Sequence, residues 1–192
     1  MADDQQSRGY YYDDSHGYED YRPTVLTIGH STRDFDEFVG LLRENDIELL
    51  ADVRSFPGSR KFPQFNKESL EVTLPENGID YSHLRQLGGR RKVKTDSKNT
   101  VWRNDGFRGY ADHMETEDFR KGIDELLELA EDKRTAIMCS EAVWWRCHRS
   151  MISDYLKSRG ITVLHIMGEG KVEEHPYTSA AKIVDGRLSY EA

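Results

Sequence analysis

The stretch from residue 137 to residue 149, Ile-Met-Cys-Ser-Glu-Ala-Val-Trp-Trp-Arg-Cys-His-Arg, decides how the fold is interpreted. An apolar run over residues 135–138 stops at Cys139, and residues with helical spacing begin near Ala142. This change of period predicts a strand followed at once by a helix, with a short turn between them. In α/β proteins, ligands bind at such turns, which lie at the carboxyl ends of strands. The stretch therefore predicts both a fold class and the position of a site.

The rest of the chain repeats the same alternation of strand and helix. Further strands are predicted at residues 24–29, 47–53, 79–81 and 161–166. Two helices are predicted at residues 67–76 and 107–114, a third is predicted to begin after an N-cap at Ser31 or Thr32, and a fourth after an N-cap at Thr116. An Asp-Gly turn between residues 182 and 190 predicts a small hairpin. The alternation predicts a single α/β domain that is Rossmann-like, with a mostly parallel sheet of about five strands and helices on both faces.

The first 22 residues differ in composition from the remainder. They contain six acids, two arginines and five tyrosines, and such a segment lacks the aliphatic side chains needed to form a core. We therefore expect residues 1–22 to be a disordered acidic, Tyr-rich tail. Residues 23–192 form the predicted domain, which is long enough to bury a core of its own.

Charge is unevenly distributed along the chain. The formal net charge is −8, yet residues 54–67 contain four bases and no acid, and residues 83–108 contain eight bases and two acids. A positive region on a negative protein indicates an anionic ligand.

Composition also predicts where the protein works. No apolar run is long enough to cross a membrane, and the chain starts with a polar stretch instead of a signal peptide, so a cytoplasmic protein with reduced cysteines is expected. The 17 arginines outnumber the 10 lysines alongside excess acid, which is compatible with the salt-rich cytoplasm of a halophile.

Four motifs carry a resemblance to a known family. They are Thr-Ile-Gly-His-Ser (27–31), Asp-Val-Arg (52–54) followed by Pro57, Gly-Ile-Asp-Tyr and then Leu-Gly-Gly (78–89), and Met-Cys-Ser-Glu with Cys-His-Arg (138–149). In this order and spacing they resemble the domain of unknown function 488 family over roughly residues 24–170. The resemblance implies a single α/β domain in microbial cytoplasm and carries no settled biochemical activity.

Polar residues follow three of the predicted strands, and parallel strands would bring them to one crevice. The catalytic candidates are Glu141, Asp52, Cys139 and His30, and the anion-binding candidates are Ser31, Arg54, Arg60 and Arg149. Carboxylates suit general acid/base chemistry, while arginines and helix N-termini suit a phosphate. The pattern predicts an enzyme that acts on a phosphate-bearing or other anionic substrate, such as a nucleotide, a nucleic-acid end or a small metabolite. A structural Glu–Arg tie and a simple N-cap at Ser31 remain open alternatives.

Two other functions also remain open. A non-catalytic nucleic-acid-binding module would use the basic loop 85–108, mainly Arg90, Arg91, Lys92 and Lys94. Thiol or redox chemistry would use Cys139, whose pKa a helix N-terminus and an arginine would lower, and a semi-buried structural cysteine is the open alternative at that position.

No metal site, cofactor or membrane partner is predicted from the sequence. Cys147 and His148 are neighbours on the predicted helix, so their side chains would diverge and could not join Cys139 around one ion. His148 is expected to face the sheet and to bond a backbone carbonyl group.

Overall fold

The computed structural model describes residues 23–192, so the predicted acidic tail lies outside the described residues. The strands are β1 (Thr24–Gly29), β2 (Leu49–Asp52), β3 (Asp80–His83), β4 (Thr135–Cys139), β5 (Thr162–Gly168), β6 (Lys171–Glu174), β7 (Lys182–Val184) and β8 (Arg187–Ser189). The α-helices are α1 (Phe35–Glu44), α2 (Lys67–Glu76), α3 (Asp105–Met114), α4 (Glu117–Asp132) and α5 (Arg149–Ser158). Short 3-10 helices occupy Pro63–Phe65, Arg85–Leu87 and Trp144–Arg146.

Six strands form the main sheet in the order β3-β2-β4-β1-β5-β6. The first five are parallel, and β6 returns antiparallel to β5. This confirms the predicted α/β fold with a mostly parallel sheet, which has one strand more than expected. Because β2, β4 and β1 are adjacent and parallel, their carboxyl ends meet at one edge of the sheet.

A hydrophobic core lies on each face of the sheet, because side chains alternate in direction along each buried strand. On one face, Leu26 and Ile28 of β1 pack with α1 and α2. On the other face, Val25 of β1 and Val163 of β5 pack with α3, α4 and α5. Helices therefore cover both faces, as predicted. No helix in the described range is both long and apolar enough to cross a membrane.

The helix after β4 begins later than the sequence pattern indicates. Residues 144–146 form a 3-10 helix, Cys147 is extended with φ −134° and ψ 149°, and α5 starts only at Arg149. The prediction of a helix from Ala142 was therefore wrong. The predicted cap of α1 was also wrong, since the carboxylate of Asp34 accepts the backbone N–H of Glu37.

The end of β1 lies against the turn that follows β4. The backbone N–H of His30 donates to the carbonyl oxygen of Cys139 at 3.0 Å, and that of Ser31 donates to the carbonyl oxygen of Ser140 at 3.0 Å. A Cβ atom at Gly29 would overlap the carbonyl oxygen of Glu141. A residue without a side chain is therefore required where these two strand ends meet.

Replacing Gly29 with alanine tests this constraint. We expect Gly29→Ala to lower the free energy of unfolding in urea by about 3 kcal/mol, because the new methyl group meets backbone that must move. Gly40→Ala is the matched control, since Gly40 lies inside α1 and a Cβ there has nothing within 4 Å. Alanine should raise stability at that helical position by about 1 kcal/mol. Equal effects of the two substitutions would contradict the close approach.

Candidate functional site

A pocket of about 750 Å³ opens at the carboxyl ends of β1, β2 and β4. Residues that follow each of these strands line it: His30, Ser31 and Thr32 after β1, Arg54 and Ser55 after β2, and Ser140 and Glu141 after Cys139 of β4. Gly89, Arg90, Asn104 and Phe107 close it from the long loop and α3, and Arg146, Cys147 and His148 close it from the segment before α5. Of the predicted site residues, the lining includes His30, Ser31, Arg54, Cys139 and Glu141. It does not include Asp52, Arg60 or Arg149.

Arg54 is held in place by Asp52 at the end of β2. Its Nε donates to one carboxylate oxygen of Asp52 at 2.9 Å, and its Nη2 donates to the other at 2.6 Å. Nη2 also donates to the carbonyl oxygen of Phe65. Asp52 is fully buried and additionally accepts the hydroxyl of Tyr81 at 2.7 Å. Asp52 therefore positions Arg54 from beneath the pocket, instead of facing the pocket itself.

His30 lies beside Arg54 and stacks on Phe65 with ring centroids 4.3 Å apart. Burial, followed by the charge of Arg54, lowers the pKa of His30 to about 4. The ring is therefore neutral at pH 7. Its Nδ1 bonds the carbonyl oxygen of Ser31, which only accepts, so Nδ1 donates and Nε2 faces Arg54 Nη1 at 3.4 Å.

Ser31 has a backbone φ of 53°, in the left-handed region that few serines adopt. Its N–H is bonded to Ser140, and its hydroxyl does not cap α1, whose cap is Asp34. Strained residues of this kind persist where surrounding contacts hold them, and they cluster at functional sites. The strained backbone of Ser31 therefore lies at the corner of the pocket where the ends of β1 and β4 meet, which favours a functional role for that corner.

Glu141 and Arg149 do not form the side-chain ion pair that the sequence left open as an alternative. Arg149 is 1% exposed, and its Nη2 donates to the backbone carbonyl oxygen of Glu141 at 2.6 Å, while Nη1 donates to the hydroxyl of Thr27 at 3.3 Å. The Glu141 side chain is exposed at the pocket, and no ion pair in residues 23–192 involves its carboxylate. Arg149 therefore shapes the turn after β4, and the carboxylate stays accessible to a ligand.

Two cysteines and a histidine meet at the side of the pocket next to β4. The Nδ1 atom of His148 lies 3.6 Å from the sulfur of Cys147 and 3.9 Å from that of Cys139. The expectation that Cys147 and His148 diverge was wrong, because they belong to the turn before α5 and not to a helix. The expected bond from His148 to a backbone carbonyl group is present, since Nε2 lies 2.9 Å from the oxygen of Val53.

The environment affects the two thiols in opposite directions. The hydrogen bond between the sulfurs, followed by burial, raises the pKa of Cys139 to about 12. For Cys147, burial acts upward, but the hydrogen bond from Cys139 and the positive charge of Arg149 outweigh it and lower the pKa to about 6. The lowered pKa that thiol chemistry at Cys139 would require is therefore not found, and the shift towards thiolate is at Cys147.

The basic loop 85–108 uses several of its cations internally. Arg91 donates to the carbonyl oxygens of Gly88 and Gln86, and Lys94 pairs with Glu115 at 3.2 Å. Arg90 instead lies over the exposed ring of Phe56, with 5.6 Å between the guanidinium carbon and the ring centroid, at the rim of the pocket. Nucleic-acid binding by this loop stays a prediction. Because Arg91 and Lys94 are engaged within the protein, the loop has fewer unpaired cations for nucleic-acid phosphates than its eight basic residues indicate.

Among the charged, thiol and imidazole side chains of the pocket, Arg146, Cys147 and His148 were absent from the sequence-based candidates, and Arg90 was a candidate only for nucleic-acid binding. The adjacent pair Cys147-His148 was a visible signal, but the assumption of a helix from Ala142 directed the two side chains apart. Arg146 had no local signal that separated it from other surface arginines.

The buried pair of Asp52 and Arg54 leads to a stability prediction. Asp52→Asn leaves the cation of Arg54 buried without its counter-charge, and we expect the free energy of unfolding to fall by about 3 kcal/mol. Asp80→Asn is the control, since Asp80 pairs with Lys133 at the surface, where solvent screens the charges, and its loss should lower stability much less. Urea denaturation measures both, and a similar loss for the two variants would contradict the structural role of Asp52.

Comparison with known proteins adds a family. The model of the family described as Domain of unknown function DUF488 matches residues 34–156. No curated protein and no solved structure matches the chain.

Proposed function

The chain belongs to the domain of unknown function DUF488 family, and we propose that it is an enzyme acting on a phosphate-bearing or other anionic substrate in the strand-end pocket. The charge of the pocket carries this proposal. Three arginines, Arg54, Arg90 and Arg146, border the pocket, and its lining contains one carboxylate, that of Glu141. Asp52 balances the charge of Arg54, so Arg90 and Arg146 leave an excess of one positive charge over Glu141. On a chain with a formal net charge of −8, this local excess of cations favours an anion.

Arg54 is prepared for anion binding before any ligand arrives. Two of its nitrogens are occupied by Asp52, whereas Nη1 makes only the 3.4 Å contact to His30. A guanidinium group fixed in this way loses little side-chain entropy on binding a phosphate oxygen. The neutral ring of His30 adds no competing charge beside it.

The remaining walls suit a ligand with a ring and a phosphate. Phe56, Phe62 and Phe107 supply aromatic faces, and the hydroxyls of Ser31 and Ser140 supply hydrogen bonds at the strand ends. Nucleotides combine these two kinds of surface, because the base stacks and the phosphate binds cations. We therefore place nucleotides first among the substrates of this pocket.

Glu141 is the group that we assign to proton transfer. Its carboxylate borders the pocket and can reach a bound ligand, whereas Asp52 is fully buried and engaged by Arg54 and Tyr81. A carboxylate next to a bound phosphate ester can orient an attacking water and accept its proton. Asp52 then serves the reaction through the position of Arg54.

Binding of adenosine 5′-monophosphate tests the anion site. By titration calorimetry we expect this nucleotide to bind more tightly than adenosine, which lacks the phosphate. Arg146→Gln should weaken its binding about 10-fold, which corresponds to about 1.4 kcal/mol. Arg187→Gln is the control, because Arg187 is exposed on β8 outside the pocket and the substitution removes the same charge. Equal affinity for the nucleotide and adenosine would contradict the proposal.

Turnover tests the role of Glu141. Purified protein is assayed against phosphate monoesters, diesters and anhydrides, and Glu141→Gln should lower kcat at least about 100-fold on any ester that the unaltered protein cleaves. Glu128→Gln on the exposed side of α4 removes the same charge elsewhere and should leave the rate unchanged. No cleavage of any of these esters, or an unchanged rate in Glu141→Gln, would contradict the assignment.

A further inference from the structure

The cluster of Cys139, Cys147 and His148 has no part in the proposed anion site, yet its geometry is specific. The two sulfurs and the Nδ1 atom of His148 all lie within 4.8 Å of one another. Cys139 ends β4, and the other two residues lie in the turn that leads into α5. The fold therefore brings together three side chains whose atoms bind borderline-soft metal ions.

The ring of His148 is oriented so that Nδ1 keeps a free lone pair. Its Nε2 atom lies 2.9 Å from the carbonyl oxygen of Val53, which can only accept a hydrogen bond, so Nε2 must carry the proton. Histidines that bind metals are held in the same way, since their other ring N–H donates to a carbonyl group or a carboxylate. The carbonyl oxygen of Val53 thus already accepts the hydrogen bond that a metal-binding histidine donates from its other ring nitrogen.

The two sulfur-to-nitrogen distances are close to those of a tetrahedral site. Zinc binds thiolate sulfur at about 2.3 Å and imidazole nitrogen at about 2.0–2.1 Å, so tetrahedral angles separate a sulfur from a nitrogen by about 3.6 Å. The two observed separations are 3.6 and 3.9 Å. A cation between the three atoms would bind the lone pair of Nδ1 and both sulfurs at once.

Gly89 lets the ring take this position. A Cβ atom at residue 89 would overlap the imidazole of His148, so this glycine, in the loop that closes the pocket, is required for the ring to stay beside the sulfurs. Both cysteines are more than nine-tenths buried, and all three residues border the pocket. Protein atoms therefore cover the cluster except where it borders the pocket, and the pocket has room for a further ligand.

We propose that Cys139, Cys147 and His148 bind one zinc ion, with the fourth coordination position open to the strand-end pocket. Zinc binds both sulfurs as thiolates, so binding releases to solvent whatever thiol protons are still present and forms two Zn–S bonds and one Zn–N bond. Three protein ligands and one open position are the arrangement of catalytic zinc sites, in which water or substrate occupies the fourth place. The proposal does not rest on the anion site, because zinc alone is the ligand tested.

Metal binding to the reduced full chain tests the proposal. After reduction and dialysis against zinc, we expect one zinc ion per chain by elemental analysis, held against a competing chromophoric chelator. Cobalt(II) in place of zinc should give the visible absorption of a tetrahedral ion and a thiolate-to-cobalt charge-transfer band. This band reports sulfur ligands directly, so it does not depend on any variant folding.

Matched variants assign the ligands. Cys139→Ser, Cys147→Ser and His148→Gln should each weaken zinc binding at least about 100-fold, since each removes a ligand of a three-ligand site. His83→Gln is the control: His83 is also half-buried and its Nε2 lies 2.9 Å from a backbone carbonyl oxygen, that of Arg54, yet it lies outside the cluster. It should keep the affinity of the unaltered chain.

Gly89→Ala separates ligand identity from ligand position. All three ligand residues are retained, but the new methyl group displaces the imidazole, so zinc binding should weaken about 10-fold or more. The two thiols should still react with a thiol reagent, which shows that both cysteines are present and reduced. The proposal is overturned if the reduced chain binds less than one equivalent of zinc, or if cobalt gives no thiolate charge-transfer band. It is also overturned if the three ligand variants bind zinc as tightly as His83→Gln does.

Discussion

The buried ion pair between Asp52 and Arg54 is the interaction on which the architecture of the pocket depends. Two buried charges cost free energy unless each is fully paired and hydrogen-bonded, and here the carboxylate accepts from Arg54 and from Tyr81. The pair joins the end of β2 to β3 through Tyr81 and to the 3-10 helix before α2 through Phe65. It also places a cation next to His30, which adds to the effect of burial in lowering the pKa of that ring. One strand end thus contributes to the charge state of its neighbour.

A second buried arginine, Arg149, holds the turn after β4 by donating to a backbone carbonyl group and not to a carboxylate. Arg149 binds the backbone of Glu141 and the hydroxyl of Thr27, and Thr27 in turn bonds His165 at 2.7 Å. His165 continues through His175 to the fully buried carboxylate of Asp154. Because the arginine holds a carbonyl group and not a carboxylate, the turn is rigid while its acidic side chain stays available. A side-chain ion pair at the same place would have removed that carboxylate from the pocket.

The sequence predicts the fold well where local pattern and tertiary structure agree. The bounds of β1 and α2, and the cap of α4 at Thr116, match because β-branched residues, helical spacing and capping chemistry all act within a few residues. The short strand β6 was missed, since Lys171–Glu174 lies at the sheet edge and is mostly exposed, so it has little apolar alternation.

The candidate site was harder to predict, for a physical reason that residues 142–148 illustrate. Their spacing is compatible with a helix, but Cys147 is extended and the ring of His148 is fixed by Val53 and by the absence of a side chain at Gly89. These contacts come from 95 and 59 positions away along the chain. No local sequence pattern contains these contacts. The two cysteines could be noticed in the sequence, but their proximity in the fold could not be predicted from it.

The proposed anion site and the proposed zinc site are electrostatically compatible within one pocket. A divalent cation bound by two thiolates and a neutral imidazole would form a site of zero net charge, so it would not reduce the attraction of Arg54, Arg90 and Arg146 for an anion. A bound metal would add a Lewis acid at the end of β4, in the same pocket as the cation that Asp52 fixes at the end of β2. A phosphate in contact with both would have its charge stabilised by both, which lowers the barrier to attack at phosphorus.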